Sequence, residues 1–157
     1  YLRMDLWHHR IVLEENGADD LITLGLRVAG QDEFREIAKR LEAAGVKLRI
    51  GSFEEAYERH VLEVMMLQDP GGYSLEIFHG PHGQADRPYL SGRRMHGRFK
   101  TGTGGLGHAM IRCPAGLEET YAFYKLLGMR GGIAFRVPVL YLRLPPSTSV
   151  YLRLPPI

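Results

Sequence analysis

Residues 62–78 read Leu62-Glu63-Val64-Met65-Met66-Leu67-Gln68-Asp69-Pro70-Gly71-Gly72-Tyr73-Ser74-Leu75-Glu76-Ile77-Phe78. Two apolar-rich runs flank Asp-Pro-Gly-Gly. Proline presets the φ of a turn's second residue, and glycine accepts the positive φ that later turn positions demand. The stretch predicts a β-hairpin, Leu62 to Gln68 and Tyr73 to Phe78. Its partners lie just upstream. Phe34, Ile37, Ala38 and Leu41 recur at the spacing of one buried stripe, which predicts a helix over 32–45. Asp32 is its expected cap and Gly45 its stop. A short strand from Val46 to Ile50 follows. Ser52 with Glu55 forms a capping box for a short helix to about His60.

Working outward, Leu24, Leu26 and Val28 alternate along a strand over 22–29. Another strand is expected over 10–14, and Asn16-Gly17 between them is a turn signal. From about residue 22 to 79 the order is β-α-β-β-β. Residues 80–104, rich in Gly, Pro, Arg and His, read as a connector. A strand from His108 to Cys113 and a helix from Leu117 to Leu127 come next. The helix is expected to bury Leu117, Tyr121, Tyr124 and Leu127, with Gly128 as its stop. A strand at about Phe135 to Leu144 continues a second β-α-β pattern.

Tyr1-Leu2-Arg3 recurs as Tyr141-Leu142-Arg143 and as Tyr151-Leu152-Arg153. A strand and a helix precede Tyr141 and nothing precedes Tyr1. The first unit is therefore expected to lack its opening strand and helix, and the chain to start inside a strand. The hexapeptide Tyr-Leu-Arg-Leu-Pro-Pro occurs identically at 141–146 and 151–156, a duplication with no physical reason in the sequence.

Composition narrows the functional classes. The chain has 157 residues, 45% hydrophobic and 24% charged, the balance of a folded globular protein. The apolar runs fall far short of the roughly 20 residues a membrane helix requires. A net charge of +2 gives no broad cationic surface, so nucleic-acid binding is not expected despite the basic cluster over 93–100. The lone cysteine, Cys113, fits a reducing, cytoplasmic setting.

Several residues could carry chemistry. Glycines at 102, 104, 105 and 107 lead into His108, which a strand end would place well as a metal ligand. The plain alternative is a histidine at a loop–strand junction, which spacing alone favours. Glu76 faces away from Leu75 and Ile77, either as a carboxylate pointing into a cup or as the polar side of a half-buried strand. His8 and His9, adjacent on a strand, would point to opposite faces and not share an ion. His79 and His82 sit in a Gly-Pro loop and make at best a weak zinc pair. Cys113 has no evident base nearby, which argues against a nucleophilic role.

Four stretches, taken in order, carry a resemblance. They are Tyr1-Leu2-Arg3-Met4-Asp5 with Trp7 and Arg10-Ile11; Asp69-Pro70-Gly71 with Leu75-Glu76-Ile77-Phe78-His79-Gly80; Gly105-Leu106-Gly107-His108; and Ala122-Phe123-Tyr124 with Leu127-Gly128-Met129. Over about residues 1–130 the chain resembles the extradiol ring-cleaving dioxygenases of the vicinal oxygen chelate superfamily, in particular those acting on biphenyl-2,3-diol-like catechols. The resemblance implies an α+β fold of βαβββ modules, the vicinal oxygen chelate or glyoxalase–bleomycin-resistance type, here truncated. It implies residues 1–80 as an N-terminal domain without metal, 81–104 as connector, and 105–157 as the start of a catalytic domain.

It further implies Fe(II) held by two histidines and a glutamate, with open positions for a catechol-type aromatic substrate and O2, in a homo-oligomer serving aromatic catabolism. His108 matches the first iron histidine, Met110 a substrate-pocket position, and Tyr141, more loosely, another. The other two ligands would lie beyond residue 157. Glu76 stands at the equivalent place in the metal-free domain, where Leu24 and its neighbours replace a histidine. The family's proton-transferring histidine, due within about a dozen residues of Val137-Pro138-Val139, is absent. The resulting expectation is a dioxygenase segment inactive alone; the alternative is a metal-free module that binds an aromatic ligand.

Overall fold

The computed structural model describes residues 1–15, 21–90, 111, 113–134, 139–143 and 150–154. Eight strands and three helices follow in chain order: β1 (Ile11–Leu13), β2 (Thr23–Arg27), α1 (Gln31–Ala43), β3 (Leu48–Ile50), α2 (Phe53–Glu58), β4 (Glu63–Gln68), β5 (Ser74–His79), α3 (Leu117–Leu126), β6 (Arg130–Ala134), β7 (Val139–Arg143) and β8 (Val150–Leu154). The β-α-β-β-β unit is present as β2, α1, β3, β4 and β5, with α2 inserted before the hairpin.

The hairpin forms for the reason its turn suggests. Gly72 takes φ +86° and donates its N–H to the Asp69 carbonyl at 2.9 Å. The Tyr73 N–H donates to the Asp69 carboxylate at 2.9 Å, tying the loop from inside. β4 and β5 then run antiparallel, β5 lies parallel to β2, and β3 pairs with β4. The six-stranded sheet has the order β1-β8-β2-β5-β4-β3.

α1 buries the stripe read from the sequence: Phe34, Ile37, Ala38 and Leu41. They meet Leu24, Leu26, Met65, Leu67, Leu75 and Ile77 from the sheet. Each fully buried large side chain here stabilises the fold by roughly 1.5–3 kcal/mol. Phe123, Tyr124, Leu127 and Met129 join the same core, so α3 packs beside α1. On the other face Ala56 of α2 meets Val64 and Phe78.

Some local expectations are corrected. Asp32 does not cap α1; Gly30 holds the N-cap, and the Glu33 carboxylate instead reaches back to the Ala29 N–H at 2.6 Å. α3 buries Thr120, Phe123 and Tyr124, whereas Tyr121 is only half-buried, so its apolar stripe is rotated from the one expected. Ile111 and Cys113 are not in a strand, and β6, unforeseen, forms a hairpin with β7. Leu2 makes one isolated bridge to Ile11 rather than a strand. β8 enters the main sheet, antiparallel to β2 and parallel to β1. No helix among the described residues is long and apolar enough to cross a membrane. The Asn16-Gly17 turn and the basic cluster over 93–100 lie outside the described residues.

Candidate functional site

Strand register places Gly25, Glu76, Met66 and Arg49 in one row across β2, β5, β4 and β3. This is the face opposite α1, where Glu76 was a candidate carboxylate. Glu76 is already engaged. Its Oε1 accepts from both Nε and Nη2 of Arg59 at 2.8 Å, with both side chains mostly shielded. Arg59 reaches there from the end of α2, anchored by its Nη1 donating to the Glu55 carbonyl at 3.0 Å. Burial opposes its charge, but the hydrogen bond and charge of Glu76 outweigh that and hold its pKa above the ordinary value.

Two further arginines occupy the same face. Arg49 forms a forked pair with Glu55 at 2.6 and 2.7 Å. That pair, with the Ser52 N–H donating to Glu55 at 2.8 Å, pushes the Glu55 carboxyl down to about 2. The Ser52–Glu55 capping box is complete. Arg27 lies over the ring of Trp7 at 5.1 Å. Directly across from Glu76 stands Gly25, which offers no side chain. Among the described residues no group of three His, Cys, Asp or Glu can hold a metal ion. With Glu76 paired to Arg59 and Gly25 offering no ligand across from it, this row of residues does not fit an iron site.

The histidines are arranged differently from the sequence expectation. His79 is not in a loop: it ends β5, is buried, contacts Phe34 and shares a 2.9 Å bond with Glu63. That bond is the leading cause of the lowered Glu63 pKa. His82 is exposed and lies near His8 and His60, so His79 and His82 do not form a pair. His8 and His9 precede β1 rather than lying on a strand, so alternation does not govern them. Their Nδ1 atoms approach to 3.0 Å. His60, which sequence reading assigned only to a helix end, stacks on His8; its φ of +54° is the one positive value among non-glycine described residues.

Of the residues assigned by resemblance, His108 and Met110 lie outside the described residues. Tyr141 lies in β7, opposite Gly132 of β6. A separate groove of about 610 Å³ opens between β3, β4 and α3, lined by Leu48, Leu67, Pro70 and Phe123 with Arg49 and Glu119.

No family model matches the chain. It is 50% identical over 139 residues to a 1,2-dihydroxynaphthalene dioxygenase of Pseudomonas sp. (strain C18), covering 88% of this chain and 46% of that protein. It is 47% identical over 137 residues to a biphenyl-2,3-diol 1,2-dioxygenase of Sphingomonas paucimobilis, covering 87% and 46%. An iron-dependent extradiol dioxygenase of Rhodococcus jostii (strain RHA1) is 34% identical over 142 residues, covering 88% and 45%. The crystal structure of a catechol 2,3-dioxygenase superposes with a TM-score of 0.76 at 45% identity, covering 85% of this chain and 44% of that one. By sequence and by its truncated α+β fold of the vicinal oxygen chelate type, the chain is a homologue of the extradiol-type ring-cleaving dioxygenases, and it spans under half the length of the relatives it matches.

Proposed function

We propose that residues 1–157 are part of an Fe(II)-dependent extradiol dioxygenase that inserts O2 into the ring of a biphenyl-2,3-diol-like catechol in aromatic catabolism. The observation that carries this is 50% identity, over nearly the whole chain, to a dihydroxynaphthalene dioxygenase. On this reading residues 1–80 form the metal-free domain, 81–104 the connector and 105–157 the opening of the catalytic domain. The Glu76–Arg59 pair supports the first assignment, because it neutralises the one carboxylate placed like a ligand.

His108 supplies one iron ligand, with the rest from outside residues 1–157, and Met110 and Tyr141 line the substrate pocket. Iron held there would supply Lewis-acid and redox chemistry for the catechol and O2. The protein is cytoplasmic and homo-oligomeric, and this stretch alone does not turn over.

The test is a chimera in which the matching 139-residue segment replaces its counterpart in the Pseudomonas sp. (strain C18) enzyme. The expected result is ring cleavage of 1,2-dihydroxynaphthalene, lost in the His108→Ala version. A folded, iron-loaded chimera without activity, or an active His108→Ala chimera, overturns the proposal. Ring-fission product from the 157-residue chain with ferrous iron alone overturns the claim that it is inactive by itself.

A second reading, a metal-free module binding an aromatic ligand, is favoured by the groove beside Phe123, whose volume lies in the range of small-molecule sites. Calorimetry with a catechol, with and without iron, separates the two: binding independent of iron and lost in Phe123→Ala supports the module.

A further inference from the structure

Four of the seven histidines converge at one place: His8, His9, His60 and His82. They come from three segments, the stretch before β1, the turn after α2 and the loop after β5. The rings of His8 and His60 stack at 3.6 Å between centroids and 22° between planes. His82 lies 6.0 Å from His8 and 6.1 Å from His60, and His9 lies 6.1 Å from His60. The backbone joins the segments in series: the His8 N–H donates to the His82 carbonyl at 2.9 Å, and the His82 N–H to the His60 carbonyl at 2.8 Å.

The cluster is not built for a metal ion. Imidazole lone pairs lie in the ring plane, so stacked rings cannot both aim at one ion. Its chemistry is that of protons. Neutral imidazoles stack without charge repulsion, and the 3.0 Å contact between the Nδ1 atoms of His8 and His9 needs one proton between them. A second imidazolium within about 6 Å of the first is repelled.

Among the described residues, the charged groups named in the contacts of this cluster are cations or carboxylates already paired with arginine. On the N-terminal segment Arg3 and Arg10 act on the cluster as cations, while Asp5 is committed to Arg10 at 2.6 Å. From the α2 side come the ring of Tyr57, and Glu58 and Arg59, which pair with each other at 3.6 Å. From the loop after β5 comes Gln84, which accepts from Arg3 at 2.6 Å. The Tyr1 ring packs on His9, 4.6 Å away, and its hydroxyl donates to the Glu58 carbonyl at 3.1 Å.

We propose that these four imidazoles form an acid-sensitive latch: neutral, they hold residues 1–10 against the α2–β4 turn and the β5 exit loop, and protonation of two or more releases that segment while the sheet stays folded. The titration agrees in direction. Burial first, and then neighbouring histidines, lower the pKa values of His8 and His60; burial and then His8 lower His9 to about 4. A histidine whose folded pKa is depressed binds its proton more tightly when released. The latched state is therefore fully favoured above the ordinary value near 6.5 and loses ground as pH falls towards about 4.

Trp7, the single tryptophan, is bridged to Gly83 beside the latch and reports on it. The experiment is acrylamide quenching of Trp7 and amide exchange of residues 1–10 from about pH 7.5 to 4.5. The wild-type chain should show both rising several-fold with far-UV circular dichroism unchanged. In His82→Gln, an exposed site, and His60→Asn, whose side chain tolerates a positive φ, the transition should move down by about half a pH unit, a threefold change in proton affinity. Constant quenching over the range overturns the proposal. So does an unshifted transition in a folded variant, or loss of circular dichroism together with the change at Trp7.

Discussion

Replacing Tyr124 with Phe tests how α3 is fixed to the first unit. Tyr124 is 1% exposed, and its hydroxyl donates to Asp69 at 3.0 Å across 55 residues of sequence. Asp69 is itself buried, and its other oxygen accepts the Tyr73 N–H that shapes the hairpin turn. Burial, and then the charge of Asp69, raise the Tyr124 pKa, so the hydroxyl stays a donor across the neutral range. Phenylalanine keeps the ring in the core and removes only the donor. A hydrogen bond to a charged acceptor contributes about 1.5–3 kcal/mol, and Asp69 retains one partner, so the expected loss is about 2 kcal/mol.

With a urea m-value of about 2 kcal/mol/M, the unfolding midpoint should fall by about 1 M. Tyr57→Phe, on the exposed surface of α2, should stay within about 0.5 kcal/mol. A double-mutant cycle with Asp69→Asn should return a coupling of about 1 kcal/mol or more. If Tyr124→Phe unfolds at the wild-type midpoint, or the cycle closes with no coupling, the bond does not tie α3 to the turn.

Two other changes follow from the geometry. Ser52→Ala removes the side-chain half of the α2 capping box and should cost about 1 kcal/mol, read in the same unfolding curves. Arg59→Met leaves Glu76 on the cup face without its guanidinium partner; half-buried, the pair should cost about 2 kcal/mol to break, and Glu76→Gln in the Arg59→Met background should recover part of it.

The hairpin and α1 were legible because their signals are local. A Pro-Gly turn and a 3.6-residue stripe depend on neighbours in sequence, and both appear where those signals stand. The Ser52–Glu55 box was legible for the same reason. The pairing of Glu76 with Arg59 was not, because a carboxylate's partner is set by how α2 crosses the sheet rather than by spacing. His8 and His9 were misjudged through one assumption, that they lie on a strand; once β1 begins at Ile11, the opposite-face rule has nothing to act on. The α3 stripe was rotated because Thr120, an ordinary-looking polar residue, buries itself by donating its hydroxyl to the Gly116 carbonyl at 2.7 Å. β6 carries two adjacent glycines, which hide a strand from any propensity argument.

The place of β8 between β1 and β2 has a consequence during synthesis. A ribosome releases these segments in chain order, and β2, α1 and the hairpin emerge with all they need to pair. The far edge of β2 does not. Its hydrogen-bonding row faces open water until Val150–Leu154 leaves the exit tunnel, more than a hundred residues later. For that interval, some seconds at ordinary translation rates, the half-made sheet presents an unpaired edge that other nascent chains could extend. Yield on expression should therefore respond to translation speed and chaperone supply more than the finished protein's stability suggests.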